Sequence, residues 1–218
     1  MTPAASVPAA AEEIDSEVVA LVQRAQRGDN AAFAQLYDRY LDAVYGYVQR
    51  RVGHRQTAED LTGDVFMRAY RRLDQFEWQG KDLRAWIMTI ARNRVHDHFK
   101  SSLVRLERST EIDAQRHHDS RAHGPEEVAE ARDVARALGR ALEQLKDDHR
   151  EVIELRFIHE LSVAETAQTL KRTVGATKAL QYRALRSLAE IVKGVPGLSE
   201  LAAGGLASVV AALTMLAP

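Results

Sequence analysis

Between Phe33 and Val52 the apolar side chains fall at Phe33, Leu36, Tyr37, Tyr40, Leu41, Val44, Tyr47, Val48 and Val52. A strand cannot use that spacing, whereas a helix gathers all of it on one face. A long amphipathic helix needs other helices to cover its stripe, and the following sequence supplies them. Gly53 ends the first helix, and Thr57 with Asp60 three residues on resembles a capping box for a second, carrying Leu61, Val65, Ala69 and Leu73. After the polar stretch DQFEWQGK, Asp82 can cap a third helix whose inner face holds Leu83, Trp86, Ile87, Ile90, Ala91, Val95 and Phe99. Residues 28–100 therefore read as one helical unit, preceded by an extension, 1–27, that is disordered or partly helical.

Periodicity then lapses over residues 101–131, which read as an acidic, flexible linker ending near Gly124-Pro125. It returns at Val134, Leu138, Leu142 and Leu145, and again at Val152, Ile153 and Phe157 after a possible cap at Asp148. Ser162 and Glu165 form the pattern S-x-x-E at the head of a short helix. Only Lys171 to Thr173 separate it from another helix that starts near Val174 and runs past Leu188. Two helices joined so tightly, the second one basic, have the layout of a helix-turn-helix. Residues 132–193 form this second unit, and 194–218 an apolar C-terminal extension. With 12 Gly and 5 Pro in 218 residues, breakers are too few for a sandwich of short strands, so the fold class is all-α: two small helical domains joined by a linker.

The chain has no cysteine, which excludes disulfides and thiolate metal sites and fits a reducing cytoplasm. Its net charge of −1 hides a segregation. From Lys171 to Ala189 there are five Lys or Arg and no acid, while Glu107 to Asp133 holds eight acids against four arginines. In the helix from Val174, Thr177, Leu180, Ala184 and Leu188 can point inward, leaving Lys178, Tyr182, Arg183 and Arg186 outside. Such a face fits the major groove of B-form DNA, although a basic face alone is as often merely solvated. In the first unit, Trp86, Arg92, Asn93, Arg94 and Lys100, with Phe76 and Trp78 in the loop before them, combine stacking surfaces with cations, as a single-stranded nucleic-acid surface requires. Taken alone, Trp86 at helical spacing is more often core. His117, His118 and His123 lack a metal-ligand spacing and read as linker histidines, and no catalytic constellation or phosphate loop is present. No enzyme and no cofactor are expected.

Three motifs, AEDLTGDVF, RAWIMTIARNRV and REVIELRF followed by LSVAETAQTL, stand in the order and spacing of the extracytoplasmic-function (group 4) sigma factors of the sigma-70-like family, which residues 28–192 resemble. The resemblance implies an alternative sigma factor that binds core RNA polymerase and directs promoter recognition, melting and initiation. On it, Asp60, Leu61, Asp64 and Phe66 are expected to contact core polymerase. Trp78, Trp86, Arg92, Asn93 and Lys100 are expected at the −10 strand, and Thr173, Lys178, Tyr182, Arg183 and Arg186 at the −35 duplex. Core polymerase, promoter DNA and an anti-sigma factor are the implied partners. The competing reading is an autonomous helix-turn-helix regulator that binds DNA without polymerase.

The extension from Gly194 to Pro218 lies outside the family pattern. It is too short and too rich in Ala and Gly to span a membrane. Leu198, Leu201, Val209 and Leu213 can instead form one stripe of a weak helix with Gly204 and Gly205 in its middle, expected to dock as a lid on the second unit or on a partner.

Overall fold

In the computed structural model, residues 16–78, 82–106, 127–195, 198, 204–214 and 216 are described. Most of the helices follow from the periodicity, while several of their ends differ from expectation. The first unit begins earlier than expected. Helix α1 (Ser16–Gln26) buries Val18, Leu21, Val22 and Ala25 against α2 (Asn30–Val52), so this part of the extension belongs to the core. Residues 1–15 lie outside the described residues. The α1–α2 corner is closed by Asp29, whose Oδ1 accepts from the backbone N–H of Ala31 and Ala32 at 3.0 and 3.1 Å while Oδ2 takes the Arg24 guanidinium at 2.7 Å. That guanidinium holds the Asp29 carboxyl below its usual range.

Helix α3 (Arg55–Arg72) is not started by the expected Thr57–Asp60 box. His54 is the cap, its Nδ1 accepting from the Thr57 backbone at 3.4 Å, because Gly53 in the left-handed region (φ 72°) turns the chain there and the helix is already under way at Arg55, two residues before Thr57. Helix α4 (Leu83–Leu106) starts directly after Asp82, as expected, and the backbone carbonyl of Asp82 accepts from Trp86 N–H at 3.1 Å. Burial raises the pKa of the Asp82 carboxyl, with Glu165 adding to the rise. Leu36, Tyr40, Val44 and Val48 meet Leu61, Val65 and Ala69 and then Leu83, Ile87, Met88 and Val95 in one core. Phe99, expected inside, is 43% exposed, since the last turns of α4 run past the other helices.

The linker is shorter than expected on both sides. Helix α4 continues to Leu106, and α5 (Glu127–Glu143) begins well before residue 132. The linker histidines His117, His118 and His123 lie outside the described residues. Helix α6 (Asp147–Ile153) has Lys146 as its N-cap and no side-chain cap; Asp148 lies inside the first turn and pairs with Arg172 at 2.5 Å. A π-turn (Glu154–Ile158) follows. Helix α7 (Val163–Leu170) carries the expected capping box, with Ser162 Oγ accepting from Glu165 N at 3.2 Å and Glu165 Oε2 accepting from Ser162 N at 2.8 Å. Helix α8 (Val174–Lys193) is the long basic helix, and α9 (Gly205–Thr214) lies in the extension.

The two glycines of the extension begin α9 instead of interrupting it. Gly205 takes φ +73°, which costs glycine little, and Gly204 is in the turn before it. Val209 and Leu213, with Leu198 ahead of them, have no exposed surface, and α9 packs on α5, α8 and the π-turn. Leu201 lies outside the described residues. The regular elements described are all helical, in two units, as the sequence required.

Candidate nucleic-acid interface

The second unit builds a reading surface from the turn outward. Lys171 ends α7 in the left-handed conformation (φ 55°), which lets Arg172 N–H reach back to Ala167 O at 2.8 Å. Thr173 then caps α8, its hydroxyl oxygen accepting from Ala176 N at 3.2 Å. The expected inward set is inward: Thr177, Ala184 and Leu188 are fully buried and Leu180 is 4% exposed. Phase fixes the remainder, so Lys178, Tyr182, Arg183 and Arg186 are exposed, Tyr182 at 59%. Among the described residues no carboxylate forms an ion pair with Lys178, Arg183 or Arg186. Arg156 braces the helix from the π-turn, donating to Gln181 Oε1 at 3.1 Å and to the carbonyl of Leu161. Thr173 is exposed, but its oxygen already serves the helix cap, so only its hydroxyl proton is free for a phosphate.

In the first unit Phe76, 4% exposed, is the hub of an aromatic group. The Trp78 ring meets it edge-on at 5.1 Å, and the Trp86 ring lies tilted at 5.2 Å. Both tryptophans are half-buried, at once packed and presented. Along α4 the spacing of seven carries Trp86 into line with Asn93 and Lys100, giving one stripe of an aromatic, an amide and an exposed cation. Arg92 faces another way. Its guanidinium grips Glu151 of the second unit through Nε at 3.0 Å and Nη2 at 3.3 Å.

The acidic face of α3 is only partly as expected. Asp60 is exposed and accepts from Gln56 Nε2 at 3.3 Å. Asp64 is taken by Arg94, whose Nε and Nη2 lie 2.9 and 2.7 Å from its Oδ2. Leu61 and Phe66 are core residues, 3% and 4% exposed, and the Phe66 ring packs on Tyr37 at 4.6 Å. The expectation that these two contact a partner is corrected by helical phase, because the stripe that buries Val65 and Ala69 takes them with it. What shares the face of Asp60 and Asp64 is Met67, 52% exposed, one further turn along. Sequence reading missed it, although an apolar residue at the i, i+4, i+7 phase of two acids was the available signal.

Also unforeseen are the buried polar residues of the second unit, Glu151, Glu154 and His159. Arg50 Nη2 lies 3.1 Å from His159 Nε2. Since arginine only donates, Nε2 must accept and the proton sits on Nδ1. Burial, reinforced by the positive charge of Arg50, Arg84 and Arg51, holds the His159 pKa well below the ordinary value. The unfolded chain therefore takes up a proton near pH 6.5 that the folded chain refuses. Stability is fully present above that pH and falls as the pH drops below it, by up to about 1.4 kcal/mol per pH unit. Chemical denaturation at about pH 7.5 and about pH 5.5 should show a smaller loss for His159→Gln than for the wild type. Equal losses would mean that His159 is protonated in the folded chain.

Among the described residues no group of His, Asp or Glu could hold a metal, and no helix is long and apolar enough to cross a membrane. A helix-turn-helix whose basic face forms no close ion pair among the described residues, joined to a helical unit bearing an aromatic shelf, is the equipment of a promoter-binding protein. Comparison with known families agrees. Residues 36–102 match sigma-70 region 2, and residues 141–190 match sigma-70 region 4. The chain is 47% identical over 186 residues to the ECF RNA polymerase sigma factor BldN of Streptomyces coelicolor, covering 84% of this chain and 69% of that protein. It is 28% identical to the ECF sigma factor SigK of Mycobacterium tuberculosis over 80% of this chain and 93% of that one. Among solved structures it is similar to the sigma factor RpoE of Bartonella quintana in complex with the anti-sigma factor NepR, with a TM-score of 0.60, 26% identity, and coverage of 74% of this chain and 96% of that one. The chain belongs to the extracytoplasmic-function sigma factors of the sigma-70 family. It is an alternative sigma factor, which directs transcription initiation.

Proposed function

We propose that the chain works in the cytoplasm as a non-enzymatic, cofactor-free subunit of RNA polymerase, docking on the core enzyme through the outer face of α3. Asp60, Asp64 and Met67 form the contact. The stripe of Trp86, Asn93 and Lys100, with Trp78 and Arg92, takes the melted −10 strand, and Lys178, Tyr182, Arg183 and Arg186 read the −35 duplex while Thr173 helps to hold its backbone. The observation that carries this reading is the outer face of α8, whose exposed cations Lys178, Arg183 and Arg186 form no close ion pair among the described residues, on a helix whose inner face is fully committed to the core. An anti-sigma factor is the further partner, as for the relative solved with NepR.

Transcription in vitro, with purified core polymerase on genomic fragments, tests the whole reading. Initiation from a discrete set of promoters is expected only when the chain is present; random initiation would refute it. The docking face has its own test. Asp60 is exposed, so Asp60→Arg should leave helicity intact while costing about 2–5 kcal/mol of core binding, as reversal of a desolvated interface charge does. Co-purification with core polymerase should be lost, and an unchanged yield of complex would remove α3 from the interface.

A further inference from the structure

Gly175 is at odds with the helix that contains it. It is the second residue of the 20-residue α8, and glycine is a poor helix former because its unfolded chain has the most freedom to lose. A fold requires glycine where the backbone takes a positive φ or where a neighbour leaves no room for a side chain. Neither holds here. Gly175 is not among the residues with positive φ, and a Cβ placed on it would meet no atom of the fold within 4 Å. Gly46 of α2 shows the contrast, since its Cβ would come within 3.4 Å of the Arg50 guanidinium. The fold would accept alanine at 175 and gain from it.

The missing side chain leaves space on the outside of the helix. At about 100° per residue, the exposed arc of α8 runs from Lys178 past Tyr182 and Arg186 to Arg183, and Gly175 falls at its middle. Ala179, also exposed, follows one turn further on. The face is therefore a notch, with two positions of little reach at its centre and long cations and the Tyr182 ring around them. Water fills either shape equally well, so solvent gives no reason for a bare centre. A rigid partner does. The major groove of B-form DNA is about 12 Å wide and a helix with its side chains about 10–12 Å across, so bulk at the middle of the inserted face sets how deeply the helix seats. In a helix-turn-helix the N-terminal residues of the second helix reach the base edges, and Gly175 stands at that end of α8.

We propose that Gly175 is a positioning residue for promoter recognition: the edge of a base pair in the −35 duplex comes against the bare backbone of α8 there, and this contact sets the depth at which Lys178, Tyr182 and Arg183 engage the groove. The inference rests on the reading of α8 given under the proposed function. At this one position the fold and the promoter have opposite preferences, the fold for a methyl group and the promoter for none.

The test uses the full chain with core polymerase. Gly175→Ala should raise the melting temperature by roughly 2–8 °C, as replacement of a helix glycine with room around it does. The same variant should initiate roughly tenfold less from a promoter with an intact −35 element, because an added carbon in a fitted contact holds the helix off. Gly175→Leu, a good helix former of greater bulk, should initiate less again while co-purifying with core polymerase as the wild type does. Gly139→Ala is the control. Gly139 is also a helix glycine, in α5, whose Cβ would meet nothing within 4 Å, so its replacement should stabilise the chain and leave promoter use unchanged. A melting temperature that fails to rise with Gly175→Ala means that the fold itself needs the glycine, and overturns the proposal; transcription at the wild-type level by Gly175→Leu overturns it too. Lys178→Ala/Arg183→Ala, run alongside, separates the two ways of failing. If that variant loses promoter selectivity and Gly175→Leu keeps it, only the close approach is wrong; if both keep it, α8 is not the reading helix.

Discussion

Ending the chain at Lys193 should destabilise the second unit by several kcal/mol, a larger effect than any single substitution on its surface. The truncation removes Leu198, Val209 and Leu213, each with no exposed surface, and uncovers the faces of α5, α8 and the π-turn on which α9 packs. Burying one such side chain contributes about 1.5–3 kcal/mol, with bookkeeping of this kind an upper bound. Whole domains are stable by only about 5–15 kcal/mol. The residues left, 132–193, fall in the size range where one core is barely sufficient. Calorimetry should show the second unit melting upwards of about 10 °C lower, with the first unit unmoved. Leu213→Ala should fall between the truncated and full-length chains, at about 2–5 kcal/mol. A truncated chain with an unaltered melting profile would show that α9 is a covering and no part of the core. The sequence led to the expectation of a lid on the second unit or on a partner, and α9 does pack on the second unit, with Val209 and Leu213 fully buried there.

How far the sequence could be read depended on the range of the interaction. Helical phase is local, so Thr177, Leu180, Ala184 and Leu188 are inward as their spacing required, and the basic face follows by default. The Ser162–Glu165 box was legible for the same reason, since both partners lie within one turn. Caps failed where a neighbour could compete. His54 takes the position expected of Thr57 because Gly53 turns the chain there, and Asp148 is drawn to Arg172, 24 positions away. Leu61 and Phe66 were misplaced because a resemblance carries roles along a motif without regard to phase, and the phase of α3 buries them. The buried ion pairs between the two units were out of reach altogether. Arg51, Arg92, Glu151 and Glu154 are charged residues on helices, for which solvent is the ordinary expectation, and pairing across 103 positions (Arg51 with Glu154) and 59 (Arg92 with Glu151) leaves no local pattern.

Lys178→Ala with Arg183→Ala should leave a protein that folds, binds core polymerase and has lost its choice of promoter. Both side chains are exposed and unpaired among the described residues, and alanine is the best helix former, so α8 should survive the change. A lost base contact costs about 1–3 kcal/mol, and five positions along the helix separate the two, enough for their contributions to add approximately. The double variant should therefore lose about 2–6 kcal/mol at its target, at least roughly thirtyfold in promoter occupancy. Salt separates a base contact from a phosphate contact. If Lys178 and Arg183 hold phosphates, the slope of log affinity against log salt should fall by about 0.9 for each, and binding should weaken equally on all sequences. If they read bases, the slope should change less, and the loss should be confined to promoters with an intact −35 element. Holoenzyme transcription on a library of −35 variants, at two salt concentrations, measures both quantities. An unchanged ranking of those promoters, with transcription at the wild-type level, would show that α8 is not the reading helix.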